Sequence, residues 1–362
     1  MSAPGTPPLV AGSNRPPAGE YDVALLDLDG VVYVGPAAVP GVPEALAAAR
    51  DRGMQLGFVT NNAARTPAQV AAHLTELGVA AAETDVITSS QAAATVVRDL
   101  VGAGAPVLAV GGPGVAAALA AAGLRVVQRA EDGPAAVVQG YGPGVGWAEL
   151  AEAVVAVRNG ARHVATNTDA TIPSPRGVLP GNGALVGVVS AVTGQSPVVT
   201  GKPDPAMHAE CVRRTGATRP LVVGDRLDTD IEGARRAGAA SLLVLTGVAT
   251  PADLLAAAPD QRPDLLAADV AGLLTPHPAV QPVDGGWRCG SWLASSAGDR
   301  LVLRSAGDGP DVGDGLDGLR ALAVAHWSAD ERPTGGDGPR PTISAADAHS
   351  AAALTRWELD GG

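Results

Sequence analysis

The chain has 362 residues and a formal net charge of −12, and 46% of its residues are hydrophobic. This length exceeds one ordinary domain core and predicts two or three domains, while the apolar content excludes a largely disordered protein. The acidic balance, without a stripe of lysine and arginine, argues against nucleic acid as a partner. Two distant cysteines indicate no disulfide framework, and the lack of a run of about 18 apolar residues argues against a membrane partner, so we expect a cytoplasmic protein.

The predicted elements begin after residues 1–20, a Pro- and Gly-rich lead that we expect to be disordered. From Tyr21 onward, short apolar runs alternate with helical stretches, which is typical of a parallel sheet with helical crossovers. Strands are predicted at 23–28, 54–60, 86–88, 107–110, 136–139, 164–166, 198–200, 221–223 and 242–245, with the first two helices at 43–52 and 66–78. The fold class is therefore α/β, with a doubly wound parallel sheet.

The composition changes near Pro276. Four of the five tryptophans lie beyond this point, between segments rich in Asp and Gly. A strand is predicted at 300–304 and a helix at 316–327. We expect this C-terminal segment to form a separate, small α+β domain.

Four polar segments follow four of the predicted strands. They are Asp27–Gly30, Thr60–Asn62, Gly201–Asp204 and Gly224–Asp230. In an open parallel sheet, ligands bind in the crevice at the carboxyl ends of the strands, so these segments are expected to meet there. Carboxylate oxygens suit Mg²⁺, which also takes a phosphate oxygen, and lysine and threonine side chains can hold the other phosphate oxygens. Each segment alone is compatible with an ordinary turn, a solvated lysine or an acidic helix start, but their combination predicts a phosphate site.

These segments resemble the four motifs of the haloacid dehalogenase superfamily. Longer matches at 59–62, 165–169, 180–183 and 224–231 are similar to the class IIA phosphatases of that superfamily, over about residues 21–275. The resemblance implies a magnesium-dependent phosphomonoester hydrolase that acts through an aspartyl-phosphate intermediate on a small phosphorylated metabolite. Glycerol 3-phosphate, giving glycerol and phosphate, is the favoured substrate, with phosphoglycolate or nitrophenyl phosphate as alternatives.

The resemblance also implies a role for each matching residue. Asp27 would attack phosphorus, and Asp29 would protonate the leaving alcohol and then activate water. The residues expected to bind substrate and phosphate are Thr60, Asn61, Asn62, Asn167 and Lys202. Those expected to bind Mg²⁺ are Asp27, Asp29 through its backbone carbonyl, and Asp225, with Asp230 in support.

A domain organisation follows from the same resemblance. Residues 21–83 and 199–278 would form the catalytic core, and residues 84–198 an inserted α/β cap. Residues 279–362 resemble an extension found on a bacterial glycerol 3-phosphate phosphatase subgroup, part of an acetyltransferase fold. This extension has no convincing Gly-rich loop for pyrophosphate, so we interpret it as an interaction or stabilising module. The oligomeric state is left open, with a homodimer as one expectation.

Two other interpretations compete with this one. A phosphorylated receiver domain also uses aspartates, a threonine and a lysine on a doubly wound sheet. In a receiver the acid pair comes first and the phosphorylated aspartate two strands later. In this chain the Asp27–Asp29 pair opens the fold and the second acidic set follows Lys202, so the order argues against a receiver.

The segment Gly112–Ala117 imitates a dinucleotide-binding turn, with Glu131 at a suitable distance. Because Pro113 stiffens that turn, we favour an ordinary strand-to-helix connection.

Overall fold

The structure is a computed structural model, which describes residues 8–172, 174, 176–297, 300–307, 313–329 and 341–360. The chain divides into two compact units, which are described separately below. Unit 1 comprises residues 1–56 and 218–362, and unit 2 comprises residues 57–217. Among the helices that the structure describes, none combines the length and the apolar character needed to cross a bilayer.

The described elements follow the chain in this order. The strands are β1 Val23–Leu26, β2 Tyr33–Val34, β3 Ala37–Ala38, β4 Gln55–Thr60, β5 Val86–Thr88, β6 Pro106–Val110, β7 Arg125–Val127, β8 Ala136–Gln139, β9 Arg162–Ala165, β10 Thr171–Ile172, β11 Leu179–Pro180, β12 Val198–Val199, β13 Pro220–Gly224, β14 Ala240–Val244, β15 Leu265–Ala267, β16 Gln281–Val283, β17 Gly286–Cys289, β18 Trp292–Ala297, β19 Arg300–Ser305 and β20 Thr342–Ala345. The helices are α1 Val42–Asp51, α2 Pro67–Glu76, α3 Ser89–Val101, α4 Pro113–Ala121, α5 Trp147–Arg158, α6 Asn182–Thr193, α7 Pro205–Thr215, α8 Glu232–Arg236, α9 Pro251–Ala256, α10 Asp317–Ser328 and α11 Ala348–Arg356.

Unit 1 contains four parallel strands in the order β15-β14-β13-β1, with β15 at an edge. Their side chains are almost all buried, which is typical of parallel strands covered on both faces. This explains why the sequence shows continuous apolar runs here and not an alternation of apolar and polar residues. The positions predicted for β1, β13 and β14 agree with the structure to within two residues, whereas β15 was not predicted.

The C-terminal segment of unit 1 is a five-stranded sheet in the order β16-β17-β18-β19-β20, with α10 and α11. Only the pairing of β19 with β20 is parallel among the described strands of this sheet. The predicted α+β character is therefore confirmed. The predicted strand and helix are found at Arg300–Ser305 and Asp317–Ser328.

This segment does not have a core of its own, and its predicted boundary at residue 279 stays a prediction. Buried residues of β14, α9 and β15 belong to the same hydrophobic core as those of β18, β19 and α10. Trp292 and Leu322, which belong to this core, are both 0% exposed. The Trp327 indole N–H donates to the Leu255 carbonyl, at 3.3 Å, and thus joins α10 to the end of α9. A change in composition marks where a segment begins, but it does not reveal which apolar surfaces pack together.

The N-terminal lead also differs from the expectation. Residues 1–7 lie outside the described residues, but residues 8–20 are ordered and not disordered as predicted. Leu9 is buried in the unit 1 core, and a 3-10 turn forms at Pro17–Gly19. The N–H of Ser13 donates to the His277 carbonyl at 2.8 Å. The proline and glycine content suggested disorder, whereas a few apolar side chains and backbone hydrogen bonds fix this segment.

Unit 2 contains a five-stranded parallel sheet in the order β12-β9-β8-β6-β7. Apolar residues of α3 and α4 form one core with the strand side chains on one face of the sheet. Apolar residues of α5 form a second core with the strand side chains on the other face. Unit 2 also includes the parallel pairing of β4 with β5, in which Thr60 lies opposite Thr88. The first polar segment of unit 2 therefore begins at the carboxyl end of a paired strand.

Candidate active site

Three aspartate side chains meet at the carboxyl ends of two neighbouring strands of unit 1. β1 and β13 pair in parallel, with Leu26 opposite Val223, and the N–H of Asp27 donates to the Val223 carbonyl at 2.9 Å. The chain therefore leaves both strands at the same edge of the sheet. Carboxylate oxygens of Asp27, Asp225 and Asp230 lie within 4.8 Å of one another. We call these three residues the aspartate cluster.

Asp230 reaches the aspartate cluster through a π-helical turn, Leu227–Ile231. Its carboxylate accepts the N–H of Arg226 at 3.2 Å. The turn approaches β13 so closely that a Cβ atom on Gly224 would overlap the Asp230 side chain. Asp230 was predicted in a supporting role, but the structure places its carboxylate in the cluster itself.

Asp225 is held from two sides. Its side chain is fully buried, and its Oδ2 accepts the N–H of Val248 at 2.7 Å. Its backbone carbonyl accepts the N–H of Ala249 at 2.9 Å. A Cβ atom on Gly30 or on Gly247 would overlap Asp225 Oδ2. The carboxylate therefore lies tightly between the turn after β1 and the segment after β14.

The aspartate cluster fits a hard divalent cation. Asp225 and Asp230 are buried and Asp27 is half-buried, and like charges this close repel one another where solvation is poor. Mg²⁺ and Ca²⁺ take carboxylate oxygens as ligands, and a bound divalent cation offsets the repulsion. The three residues together can therefore hold such an ion.

Asp29 lies outside the aspartate cluster. Its side chain is exposed, and its backbone forms a bridge with Tyr33. The N–H of Gly30 donates to the Tyr33 carbonyl at 2.8 Å, and Gly30 has a φ of +88°, a conformation that favours glycine. This turn therefore separates Asp29 from the cluster and exposes its carboxylate. The predicted acid–base role and the carbonyl ligand of Asp29 stay predictions.

In unit 2, Thr60 closes β4 and starts a tight polar turn. The Thr60 side chain is buried, and its Oγ1 accepts the N–H of Asn62 at 3.0 Å. The Asn62 side-chain oxygen in turn accepts the N–H of Ala64 at 2.9 Å. Side-chain oxygens of this kind commonly fix turns through nearby backbone N–H groups. The Asn62 amide, predicted to bind phosphate, is thus bonded to Thr60 in this structure.

Asn61 holds the backbone of Lys202. Its side-chain oxygen accepts the Lys202 N–H at 2.9 Å, and its side-chain amide donates to the Lys202 carbonyl at 3.1 Å. The residue before the lysine must be glycine, because a Cβ atom on Gly201 would overlap the Thr166 carbonyl and come within 2.7 Å of Asn61 Oδ1. The Asn61 side chain therefore fixes both the backbone N–H and the backbone carbonyl of Lys202.

Asn167 is buried beneath the loop that carries Asn61, and its predicted contact with substrate stays a prediction. This residue was expected to face the substrate, but its side chain is only 4% exposed. Its amide donates to the Asn61 carbonyl at 2.7 Å, and its side-chain oxygen accepts the Asp169 N–H at 3.3 Å. The Asn182 amide donates to the Asn167 carbonyl at 2.8 Å. Because both ends of its side chain are engaged, Asn167 supports the loop that carries Asn61.

The glycine-rich segment before α4 is a packing feature. The N–H of Gly114 donates to the Ala64 carbonyl at 3.1 Å, and a Cβ atom on Gly112 would overlap Ala64. The backbone of residues 63–65 thus occupies the space at the start of this helix. The interpretation of this segment as an ordinary strand-to-helix turn is therefore preferred to a dinucleotide site.

The two cysteines are free and buried. Burial raises the pKa of the Cys211 thiol to about 12, although the nearby Lys202 ammonium group acts in the opposite direction. Burial likewise raises the pKa of Cys289 to about 12. Since the thiolate is the reactive form, both cysteines are unsuited to nucleophilic chemistry.

The chain matches known protein families and a known protein over most of its length. Residues 24–125 match the family described as Haloacid dehalogenase-like hydrolase, and residues 199–273 match the family described as HAD-hydrolase-like. The chain is 44% identical over 352 residues to D-glycerol 3-phosphate phosphatase from Mycobacterium tuberculosis, a match that covers 94% of this chain and 95% of that protein. The chain belongs to the haloacid dehalogenase-like hydrolases.

Solved structures support this membership. Two structures of glycerol phosphate phosphatase from Mycobacterium tuberculosis, in complex with calcium and with magnesium, match this hydrolase with TM-scores of 0.87 and 0.83 and identities of 42% and 43%. The matches cover 96% and 95% of this chain and 100% and 99% of those chains. The predicted fold, family and enzyme class are therefore confirmed.

A second relative matches less of this haloacid dehalogenase-like hydrolase. Acid sugar phosphatase from Staphylococcus aureus is 38% identical over 237 residues, which is 65% of this chain and 90% of that protein. Residues 289–359 separately match a GCN5-related N-acetyltransferase like domain. This agrees with the predicted resemblance of the C-terminal segment to part of an acetyltransferase. The predicted domain boundaries, including the cap at 84–198, stay predictions.

Sequence interpretation missed the segment after β14. Val248 and Ala249 both donate to Asp225, yet no residue beyond Asp230 was considered as part of the site. A signal was present, because Thr246 and Gly247 directly follow the predicted strand at 242–245. They mark a further strand end at the edge where ligands bind.

Proposed function

We propose that this haloacid dehalogenase-like hydrolase is a magnesium-dependent phosphatase of glycerol 3-phosphate. The observation that carries the proposal is the aspartate cluster, whose three carboxylates suit a divalent cation beside a nucleophilic aspartate. Similarity to D-glycerol 3-phosphate phosphatase along nearly the whole chain supports the choice of substrate. The cytoplasmic location and the homodimer stay predictions.

The proposed reaction has two steps. A carboxylate oxygen of Asp27 bonds to phosphorus while the ester bond to the glycerol oxygen breaks, and Asp29 gives its proton to the departing oxygen. Water then attacks the phosphorus of the aspartyl-phosphate, and Asp29 accepts its proton. This releases phosphate and restores the Asp27 carboxylate. The exposed position of Asp29 supports a role in proton exchange with substrate and water.

A bound Mg²⁺ would supply positive charge that favours the anionic phosphoryl group. The residues proposed to hold it are Asp27, Asp225 and Asp230, together with the backbone carbonyl of Asp29. In unit 2, the Thr60 hydroxyl and the Lys202 ammonium group are proposed to bind phosphoryl oxygens. Mg²⁺ and the Lys202 ammonium group would supply local positive charge, which makes the chemistry compatible with a protein of net charge −12.

A substrate panel tests this function. We expect the highest kcat/KM for glycerol 3-phosphate, measured for both enantiomers, with lower values for phosphoglycolate and nitrophenyl phosphate. Activity should disappear after exhaustive EDTA treatment and return when Mg²⁺ is added, because the aspartate cluster would otherwise keep uncompensated negative charge. Full activity in EDTA would contradict the metal requirement, and a clear preference for another ester would contradict the substrate.

The Asn61–Lys202 contact leads to a second prediction. Asn61→Ala removes both hydrogen bonds to the Lys202 backbone, so its ammonium group should be less well placed for phosphate. We expect about a tenfold increase in KM and in the inhibition constant of inorganic phosphate. In a Lys202→Met background, the same substitution should change KM by less than about twofold, because the interacting partner has gone.

A matched control separates positioning from general destabilisation. Asn159 is an exposed asparagine that follows α5 in the same unit, so Asn159→Ala should leave KM unchanged. Thermal unfolding of all variants should be recorded in parallel. If the effects of Asn61→Ala and Lys202→Met were fully additive, Asn61 would not act through Lys202.

A further inference from the structure

We propose that Thr246 is a positioning residue for the aspartate cluster and that it acts through the turn that follows Asp27. This inference rests on the proposed metal-dependent function. Thr246 is half-buried and lies just after β14. Its side-chain hydroxyl donates to the Gly30 carbonyl at 2.5 Å, across a separation of 216 positions in the chain. The hydroxyl thus joins the segment after β14 to the turn after β1.

The same segment holds Asp225. The N–H groups of Val248 and Ala249 donate to the Asp225 carboxylate and to its backbone carbonyl, respectively. These two donors belong to the backbone, so they do not depend on side-chain identity. Thr246 adds a side-chain hydrogen bond to a different strand end. The segment therefore holds two of the strand ends that supply the cluster.

Close packing makes this arrangement sensitive to small shifts. A Cβ atom on Gly30 would come within 3.0 Å of the Gly247 Cα atom and would overlap Asp225 Oδ2. The turn after β1, the Asp225 carboxylate and the segment after β14 are thus in direct contact. Mg²⁺ requires nearly ideal octahedral geometry, so a displacement of the Gly30 turn should weaken its binding. Thr246 has no carboxylate and acts only through Gly30.

Magnesium affinity provides the test. Titration calorimetry on the full-length, EDTA-treated protein should show a Mg²⁺ dissociation constant raised roughly two- to tenfold by Thr246→Val, which keeps the side-chain shape but removes the donor. Thr246→Ala should give a similar shift, and Thr246→Ser should restore the wild-type value. The Mg²⁺ concentration for half-maximal activity should rise by the same factor, while kcat at saturating Mg²⁺ changes less than about twofold.

Thr218 offers a matched control at the opposite ends of β1 and β13, the two strands that supply the aspartate cluster. Its hydroxyl donates to Asp22 Oδ2 at 2.6 Å, so Thr218→Val also removes one hydroxyl hydrogen bond from unit 1. We expect this control to leave the Mg²⁺ dissociation constant unchanged. If Thr246→Val and Thr246→Ala bound Mg²⁺ with wild-type affinity, or if Thr218→Val showed an equal shift, the inference would be overturned. The proposed metal dependence would not be affected by either result. A wild-type protein that bound no Mg²⁺ would overturn the inference together with the proposed metal dependence.

Discussion

The Asp27→Asn enzyme is expected to lose about three orders of magnitude or more in kcat while remaining folded. Asparagine has almost the same size as aspartate and keeps a hydrogen-bonding oxygen, but its neutral amide cannot attack phosphorus. The hydrogen bond from residue 27 to the Val223 carbonyl uses the backbone N–H and should persist. Steady-state kinetics with glycerol 3-phosphate at saturating Mg²⁺ would measure the loss.

The same substitution, which lowers kcat, is expected to raise the stability of the metal-free protein. Asp27→Asn removes one of three neighbouring negative charges in the aspartate cluster, so in EDTA the variant should unfold at a higher temperature than the wild type. Asp22→Asn is the matched control, since Asp22 precedes the same strand and accepts hydrogen bonds from Thr218 and Arg219. This control should retain kcat. More than about a hundredth of wild-type activity in Asp27→Asn would refute covalent catalysis by this residue.

A chain that ends at Pro278 is expected to give no soluble, cooperatively folded protein. The deleted segment shares one hydrophobic core with β14, α9 and β15, where Leu243, Leu254 and Leu266 are fully buried. Each large apolar side chain that becomes exposed costs about 1.5–3 kcal/mol, and a whole domain is stable by only about 5–15 kcal/mol. Exposing several at once should therefore unfold unit 1. Soluble yield and circular dichroism on heating are the measurements.

Point substitutions test the same idea in the intact chain. Trp327→Ala should lower the free energy of unfolding by about 3–5 kcal/mol, because Trp327 is buried and its indole N–H donates to Leu255. The matched control is Trp147→Ala, since Trp147 is 84% exposed, and its effect should stay within about 0.5 kcal/mol. A soluble, active truncation with cooperative unfolding would show that the C-terminal segment is an independent domain.

The sequence was informative where chemistry and strand ends coincide. Asp27 and Asp225 were predicted to meet because each follows an apolar run, and parallel strands end at one edge of a sheet. The structure brings both together with Asp230. Strand positions were also predictable, since continuous runs of Val, Leu and Ala between turn residues leave few alternatives.

The remaining features depend on contacts between distant parts of the chain. Asn167 belongs to a polar string that suggested substrate contact, but its buried side chain bonds to Asn61, which lies 106 positions away. Thr246 was missed because a threonine and a glycine after a strand are also typical of ordinary turns. The shared core of unit 1 was missed because an apolar pattern shows that a surface is buried, but not which partner buries it.

The side chain of Arg320 has a consequence for how copies of this chain interact during folding. It is 2% exposed, pairs with Asp314 and Asp317, and donates to the Leu266 carbonyl at 2.5 Å. Leu266 belongs to β15, an edge strand of its sheet. Edge strands offer backbone groups to which a strand of another chain can be added. Arg320 occupies this carbonyl, and the His277 ring nitrogen Nδ1 also lies 3.1 Å from it. We therefore expect that chains synthesised only as far as β15 can associate through this edge strand, and that such association decreases once His277 and α10 have docked.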